Sequence, residues 1–480
     1  MIYNILKLIF GTFLSRISGF FRELIYAYYF GASVVMDSWV VAVTIGNLLR
    51  DIVGEKVIEG AVIPAFSRIY NSLDSQYHKK FFIYFLNLFF WMSIILSLIL
   101  FFNIGHIVNI IAPGVKNFNL AVRFSQIVIF YLIFITIYAY FGTYLLFFKK
   151  FFLYSILQLI GNLTLILTII AFIGYLSFNV LPWSYLLSGF SMALFSILFF
   201  IISYKRIKNF KDNIKNRRIL KNIEVSVELE LYNKEKKNVF LGFFPILIET
   251  FFSKASIVVD RHLASLLFEG AISSLYYSFR LVQLPFALVS LAINRVVMIE
   301  LTNSYEDYGV FLNRLKKGVL YNILFIIPII IFTIIFSEDI VKIVYKRGNF
   351  NLNDVKSVSF TLNFYMLSLL GMSLTSIFSR ALYVLQKQKL VLFSSTISLS
   401  MNIILNYFLY KILSTGGIAL ATGIAFIINS YLNLYFIYKG LNRLKLNMEF
   451  VKLAILIFIL TFFILTLIFK LTQTYKIGGV

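Results

Sequence analysis

Long apolar runs dominate the pattern of the chain. Stretches without Asp, Glu, Lys or Arg occur at 81–115, 124–148, 151–204, 318–337, 357–379, 390–410, 412–438 and 453–469. A helix needs about 20 apolar residues to cross the hydrocarbon of a bilayer. The run 151–204 is long enough for two such helices, separated around Gly174 and Pro182. These runs predict nine membrane-spanning helices.

Four more apolar segments carry charged residues, at 4–30, 35–66, 238–267 and 270–300. With them the predicted number of spans rises to thirteen. Lipid cannot satisfy open backbone groups, so helices or closed barrels are the only spanning elements. A barrel requires alternating segments of about ten residues, and the sequence has none. The pattern therefore predicts an all-α polytopic membrane protein.

The composition excludes several classes of protein. The chain of 480 residues is 60% hydrophobic and 14% charged, with a mean hydropathy of +0.88, whereas soluble chains are about 25% charged. It has no cysteine and three well-separated histidines. An ordinary cytosolic enzyme, a disulfide scaffold and a thiolate or histidine metal site are thereby excluded.

The basic residues indicate the orientation of the helices. With the N-terminus inside, the inner segments hold 27 Lys and Arg residues and the outer segments hold 9. This is the bias expected of an inner-membrane protein, and it places the end of the thirteenth helix outside. The net charge of +23 is therefore a signal of topology, and we expect no nucleic-acid partner.

The spans divide into two halves around a basic segment at 205–237. We predict an N-terminal six-helix lobe at 1–204, a cytoplasmic linker loop at 205–237, a C-terminal six-helix lobe at 238–440 and an additional helix and tail at 441–480. Tyr144, Lys150 and Asn162 are echoed by Tyr383, Lys389 and Asn402 in the second half. Because six is even, the halves form a parallel repeat, an arrangement found in transporters.

The charged helices are the first two of each half. Their charges are Arg16, Arg22, Glu23, Asp37, Arg50, Asp51, Glu55, Lys56, Glu59, Glu249, Lys254, Asp260, Arg261, Arg280 and Arg295. Each costs roughly 2.5–3.5 kcal/mol at the centre of a membrane helix. Adjacent opposite charges are also consistent with structural ion pairs, and residues near a membrane face, such as Lys254, with snorkelling. As an ensemble they predict a solvated cavity, and its arginines match a phosphate or diphosphate.

Several sequence motifs in both halves resemble those of a known family. Ser15-Arg16-Ile-Ser-Gly19-Phe-Phe-Arg22-Glu23 is followed by Phe30-Gly31-Ala32, Asp37, Asn47-Leu-Leu-Arg50, Glu55 and Ile63-Pro64. The second half has Tyr276-Tyr277-Ser-Phe-Arg280, Tyr345-Lys-Arg347-Gly348-Asn-Phe350, Arg380-Ala-Leu-Tyr383 and Gly417-Ile-Ala-Leu-Ala-Thr422. The sequence resembles the MurJ (MviN) lipid II flippases of the MOP superfamily over about residues 8–440.

The resemblance implies two six-helix lobes around a central cavity that opens alternately to each side. It implies transport, not catalysis: the undecaprenyl-diphosphate-linked peptidoglycan precursor would move from the inner to the outer leaflet. Its diphosphate would be bound by Arg16, Arg22, Arg50 and Arg280, with Glu23, Asp37 and Glu55 as supporting acids. The implied partners are lipid II, membrane lipids and the peptidoglycan synthesis machinery.

In some members of the family a sodium ion lies in the second lobe. The resemblance maps its ligands to Asp260, Asn402, Asn406, the carbonyl of Ile418, and Thr422. Asn406 replaces a carboxylate of the family, which leaves Asp260 as the only charged ligand. We therefore expect weak or absent sodium dependence and no other cofactor. In the family an acid precedes the arginine that corresponds to Arg280, and here that position is Phe279; a nearby glutamate of the family is Gln283.

Other functions remain open at this point. A flippase for another polyprenyl-diphosphate oligosaccharide shares the diphosphate, so the arginines do not distinguish it. A drug exporter of the same superfamily would use acidic residues in an apolar cavity. A membrane glycosyltransferase would need an acidic metal site, and the chain has no Asp-x-Asp motif. A scaffold without transport activity would not need the arginines.

Overall fold

The computed structural model describes residues 2–53, 55–73, 75–215, 225–304, 306–440 and 448–477. Within these ranges the α-helices are α1 (Ile2–Phe30), α2 (Val34–Val53), α3 (Glu55–Ser72), α4 (Ser75–Ile111), α5 (Phe118–Ile129), α6 (Tyr131–Phe147), α7 (Phe151–Leu176), α8 (Val180–Lys215), α9 (Val225–Ser265), α10 (Ala271–Pro285), α11 (Leu291–Thr302), α12 (Tyr308–Ile335), α13 (Ser337–Tyr345), α14 (Leu352–Val384), α15 (Gln388–Gly440) and α16 (Met448–Ile477). The all-helical prediction is confirmed for this part of the chain.

Eight helical stretches of the described residues have the length and apolar composition to cross a membrane. They are Gln76–Ile111, Phe118–Phe147, Phe151–Ser203, Ala271–Thr302, Tyr308–Ile335, Leu352–Val384, Gln388–Lys439 and Val451–Leu471. Two of them contain a sharp break at a serine with positive φ, Ser177 in the first and Ser414 in the second. Each of these two is therefore divided into successive helices, as the sequence predicted for 151–204 and for 390–438.

The charged second span is helical on both sides of position 54. The sequence predicts one helix over 35–66 with Asp51, Glu55 and Glu59 in a stripe. The structure describes α2 up to Val53 and α3 from Glu55, and residue 54 lies outside the described residues, so the continuity of this helix stays a prediction. Asp51 and Glu59 have different partners: Asp51 pairs with basic residues, and Glu59 accepts a hydrogen bond from the hydroxyl of Tyr154.

The chain forms two compact units. Unit 1 comprises residues 1–26, 38–110 and 117–254, and unit 2 comprises 27–37, 111–116 and 255–480. The helix α9 runs from unit 1 into unit 2, with the change at Lys254 and Ala255. The turn between α1 and α2 belongs to unit 2, although the sequence places it in the first lobe.

Unit 1 has an aromatic core. Trp39 is fully buried, and its ring makes edge contacts with Tyr26, Phe124 and Tyr185. Edge-to-face packing adds to the gain from burial itself. This core holds α1 and α2 together with α5 and α8, so it supports the polar side chains that project from the same helices.

In unit 2, three glycines lie where one backbone segment approaches another closely. Gly31, Gly270 and Gly348 all have positive φ, and a Cβ atom on each would collide with a backbone carbonyl, of Asn349, Ala32 and Tyr28 respectively. These are positions that glycine alone fills without strain. The α1–α2 turn is thereby tied to the loops before α10 and α14.

The span that follows is irregular. Pro285 ends α10, and residues Phe286–Ser290 form one π-helical turn before α11. The hydroxyl of Ser290 lies 2.6 Å from that of Ser373 on α14. Proline removes a backbone donor, and the span continues past it through this π turn into α11.

Candidate functional site

Arg22 on α1 is held inside unit 1 by an ion pair and by a hydrogen bond to a neighbouring helix. One of its guanidinium nitrogens lies 2.6 Å from a carboxylate oxygen of Glu23, and the other donates to Oδ1 of Asn162 on α7 at 3.0 Å. The Asn162 amide also donates to the hydroxyl of Ser18 and the carbonyl of Ser15. The partly buried arginine is therefore fixed in direction before any ligand arrives.

Arg50 lies near the end of α2 beside a second carboxylate. Its Nε is 3.5 Å from an oxygen of Asp51, whose other oxygen lies 2.6 Å from the ammonium group of Lys254 on α9. Asp51 is buried, so the two cations share one anion of low solvent access. Lys254 is thus part of an ion-pair network, and its position relative to the membrane face stays a prediction.

Tyr185 connects the two arginine sites of unit 1. Its hydroxyl donates to Oδ1 of Asn47 at 3.3 Å, and both Arg22 and Arg50 are close enough to act on it electrostatically. The two guanidinium groups therefore face a common polar region. The described ion pairs of this region join Arg22 to Glu23 and both Arg50 and Lys254 to Asp51. Guanidinium groups match the oxygens of a phosphate as well as those of a carboxylate.

Arg16 lies six residues before Arg22 on α1 and is exposed. Ser15 beside it is buried and contacts the side chain of Gln158 on α7. Gln158 and Asn162 are one helical turn apart, so α7 presents amides along the face that meets α1. Both amides lie in an otherwise apolar span. A polar residue in such a span is the sequence feature by which these two site residues could have been found.

Arg280 lies on α10 in unit 2. Its guanidinium donates to Oε1 of Gln283 at 2.9 Å and lies over the ring of Tyr276, 4.8 Å from the centroid. A neutral amide and an aromatic face thus help to orient the cation. Phe279, at the position where the family has an acid, packs against Tyr365 instead. Convergence of Arg280 with the arginines of unit 1 stays a prediction.

Asp37 caps the helix that carries Arg280. Its carboxylate accepts hydrogen bonds from the backbone N–H groups of Gly270 and Ser273, at 2.8 and 2.7 Å, and from the hydroxyl of Ser273. The first turn of a helix has unpaired N–H groups, and an anion stabilises them. The partners of Asp37 are thus the N-terminus of α10, supplied from a segment 233 residues earlier.

The third supporting acid of the prediction is Glu55. It begins α3, but its side chain lies outside the described residues.

Asp260 and Arg261, which are adjacent in sequence, have separate partners. Asp260 accepts a hydrogen bond from Asn406, and Arg261 donates to the carbonyl of Ile272.

The candidate ion ligands do meet in unit 2. The amide nitrogen of Asn406 donates to Asp260 Oδ1 at 2.7 Å and to Asn402 Oδ1 at 3.1 Å. The amide of Asn402 donates to the Thr422 hydroxyl at 3.3 Å, and that hydroxyl donates to the carbonyl of Ile418 at 3.1 Å.

This arrangement does not fit a sodium ion. Hard cations require several oxygen atoms turned toward one point, whereas Asn406 turns N–H groups toward the two oxygens nearest to it. Its own Oδ1 is buried and makes no hydrogen bond within the described residues. The amide therefore supplies the positive partial charge that a bound cation would supply.

Comparison with known proteins agrees with the fold and with the motifs. The family model "Lipid II flippase MurJ" matches residues 26–479. The probable lipid II flippase MurJ of Buchnera aphidicola subsp. Schizaphis graminum is 27% identical over 99% of this chain and 92% of its own length. That of Aquifex aeolicus is 31% identical over 78% of this chain and 70% of its own length.

Solved structures give the same result. A lipid II flippase MurJ in an inward closed conformation superposes with a TM-score of 0.72 at 25% identity, covering 97% of this chain and 99% of that one. An inward-facing multidrug resistance MATE transporter of the MOP superfamily has a TM-score of 0.69 at 11% identity, covering 90% of this chain and 96% of that one, and shares the fold. Because the family model matches residues 26–479 of this chain of 480 residues, the chain belongs to the lipid II flippase MurJ family.

Proposed function

We propose that this protein moves lipid II, the polyprenyl-diphosphate-linked peptidoglycan precursor, from the inner to the outer leaflet of the cytoplasmic membrane. Family membership supports the substrate. The observation that carries the mechanism is the pair Arg22 and Arg50: Arg22 is held by Glu23 and Asn162, Arg50 lies beside Asp51, and both lie close enough to Tyr185 to act on it electrostatically. Guanidinium groups match the oxygens of a diphosphate in fork geometry and remain charged at every physiological pH.

When the substrate binds, its phosphate oxygens take the place of protein carboxylates beside the arginines. In the empty protein Glu23 and Asp51 neutralise the cations of unit 1, which limits their mutual repulsion. A diphosphate takes over part of this role, while Asn162 continues to orient Arg22. Arg280 in unit 2 donates hydrogen bonds to Gln283 and Tyr276. The family resemblance assigns it to the same diphosphate, and in this proposal it binds that group and couples binding to a change of access.

We further propose that sodium does not drive this cycle. The carboxamide of Asn406 donates to the oxygens that would bind the ion, so the membrane potential acting on the charged substrate and arginines is the favoured source of energy.

The function is tested by depletion. Cells that lack the protein should accumulate lipid II in the inner leaflet, where an externally added hydrolase of the exposed headgroup cannot reach it, and re-expression should restore cleavage. Accumulation of a different polyprenyl-diphosphate glycolipid, with lipid II sidedness unchanged, would contradict the proposed substrate.

The orientation is tested separately. The basic bias places Asn213 inside and Tyr475 outside. A cysteine at position 475 should react with an impermeant maleimide in intact spheroplasts, and a cysteine at 213 should not. The reverse pattern contradicts the topology.

A further inference from the structure

Arg261 is an arginine of unit 2 that the mechanism above does not use. It lies on α9 within 238–267, which the sequence predicts as a membrane span. A charge in such a segment is costly and by default marks a functional site. The adjacent acid does not account for it, because Asp260 accepts a hydrogen bond from Asn406 and, among the described residues, forms no ion pair with Arg261.

The helix α10 holds Arg261 and Arg280 at successive turns. Nη1 of Arg261 donates to the backbone carbonyl of Ile272 at 3.2 Å. Nη2 of Arg280 donates to the hydroxyl of Tyr276 at 3.4 Å, and its guanidinium lies 4.8 Å from the centroid of that ring. Ile272 and Tyr276 are one turn apart, which is about 6 Å along the helix. Two hydrogen bonds to the same helix therefore place the two guanidinium groups near each other.

The charges of the neighbourhood agree with this placement. Tyr276 and Arg280 are both close enough to Arg261 to act on it electrostatically. Both arginines are partly exposed, so each reaches open space beside α10. Tyr276 is thus a neighbour of both cations.

Arg261 has donors that the protein does not use. A guanidinium group has five N–H donors, and within the described residues the one hydrogen bond of Arg261 is that to Ile272. Its Nε is buried and makes no hydrogen bond in this part of the chain. A buried donor without a partner costs free energy, so the side chain is suited to take up a further acceptor.

The nearby carboxylates are bonded to other groups. The helix α10 itself contains no Asp or Glu. Two acids, Asp260 and Asp37, are close enough to act on Arg261 electrostatically. Asp260 is bonded to Asn406, and Asp37 accepts from the backbone at the start of α10. An acceptor for the remaining donors of Arg261 therefore has to come from a ligand.

We propose that Arg261 is a further substrate-binding residue, which binds one phosphate of a polyprenyl diphosphate while Arg280 binds the other. Guanidinium groups match phosphate oxygens in fork geometry, and two of them at successive turns suit two linked phosphates. A single phosphate needs only one of the two. The inference rests on the proposed function for the identity of the lipid, and it adds a residue that distinguishes a diphosphate from a monophosphate.

The test measures lipid affinity of the full chain in detergent by native mass spectrometry. Undecaprenyl diphosphate and undecaprenyl phosphate are titrated separately, and the wild type should prefer the diphosphate. Arg261→Gln should weaken binding of the diphosphate by about tenfold, the effect of losing hydrogen bonds to a charged group, with little change for the monophosphate. Equal weakening for both lipids would assign Arg261 a structural role and overturn the proposal.

Two further variants keep the result interpretable. Arg261→Lys retains the charge and a donor for the carbonyl of Ile272, so it should fold, but it lacks the fork and should also lose the preference for diphosphate. Arg314→Gln is the matched control, because the described hydrogen bond of Arg314 is likewise to a backbone carbonyl, that of Glu300. It should keep the preference of the wild type.

The failure of this inference and that of the proposed function give different results. If Arg280→Gln weakens diphosphate binding while Arg261→Gln and Arg261→Lys both bind like the wild type, the role of Arg261 is overturned and the proposed function stands. If the wild type itself shows no preference for undecaprenyl diphosphate, the role of Arg261 is overturned together with the proposal that these arginines bind a diphosphate.

Discussion

The side-chain amide nitrogen of Asn406 lies 2.7 Å from Oδ1 of Asp260 and donates a hydrogen bond to it. The same nitrogen donates to Asn402, so one amide joins two of the oxygens that would otherwise bind a cation. A carboxylate at position 406 could not donate these bonds. It would turn oxygen toward Asp260, and the two negative charges would then need a cation between them.

Asn406→Asp should therefore create a sodium site. The variant should unfold at a higher temperature in sodium than in potassium at equal ionic strength, with a gain of about 1.4 kcal/mol when sodium is ten times the dissociation constant. The wild type should show no difference between the two salts. Asn429→Asp, which adds a carboxylate elsewhere on α15, is the matched control. Sodium stabilisation of the wild type contradicts the account of Asn406.

Asp37 should contribute to stability through the cap on α10. Asp37→Asn keeps one acceptor but turns an amide toward the N–H groups of Gly270 and Ser273, at a cost of about 1–3 kcal/mol. The midpoint of thermal unfolding measures this loss. Asp339→Asn, which changes an exposed acid in the first turn of α13, should have little effect. If Asp37→Asn unfolds like the wild type yet abolishes transport, the acid acts on transport directly and the capping role does not explain it.

Because Lys254 and Asp51 form an ion pair, substitutions at these two positions should have non-additive effects on the free energy of unfolding. Lys254→Met leaves the buried Asp51 with Arg50 as its remaining described ion-pair partner, at 3.5 Å, and should cost about 1–3 kcal/mol of stability. Adding Asp51→Asn removes the carboxylate that lost its partner, so the double variant should recover part of that loss. A double-mutant cycle of unfolding free energies measures the coupling. Strictly additive losses would show that the two residues do not interact.

Outside the membrane, α9 is joined to α3 by an ion pair that responds to pH. Glu235 lies 2.8 Å from Arg68 and accepts a hydrogen bond from Asn238. Burial alone would raise the pKa of Glu235, but these two donors outweigh it and hold the pKa below its ordinary value. The stabilisation is therefore complete above the unfolded pKa of about 4.3, and it is lost as the pH falls through the lower folded value.

Hydrogen exchange of residues 228–240 measures this attachment. Protection should fall as the pH is lowered through the range below about 4.3, after correction for intrinsic exchange rates. Arg68 is half exposed, so the contribution is small, about 0.2–1 kcal/mol. Glu235→Gln should remove the pH dependence, and Glu230→Gln, at an exposed position of the same helix, should retain it. An unchanged profile in Glu235→Gln would assign the pH dependence to another group.

The helical spans and the arginines could be predicted because their signals are local. A run without charges predicts a span by its length alone, and an arginine inside such a run has a cost that requires a partner. The two ion pairs between adjacent residues, Arg22–Glu23 and Arg50–Asp51, are likewise visible in the sequence and are present in the structure.

Contacts between distant residues were beyond the reach of such signals. Asp37 meets Ser273, and Lys254 meets Asp51, only because the fold brings separate helices together. Asn162 looked like one polar residue in an apolar helix, yet its amide joins Arg22 to the backbone of α1. A single sequence does not contain these distances.

The most direct test of the central claim measures the sidedness of lipid II in cells whose only flippase is this protein or its variants. With Arg22→Lys, Arg50→Lys or Arg280→Lys expressed at normal levels, lipid II should remain inaccessible to an external headgroup hydrolase, because a lysine lacks the bidentate fork. The wild type and Arg347→Lys should both give cleavage. Full cleavage in all three lysine variants would contradict the claim that these arginines bind the diphosphate.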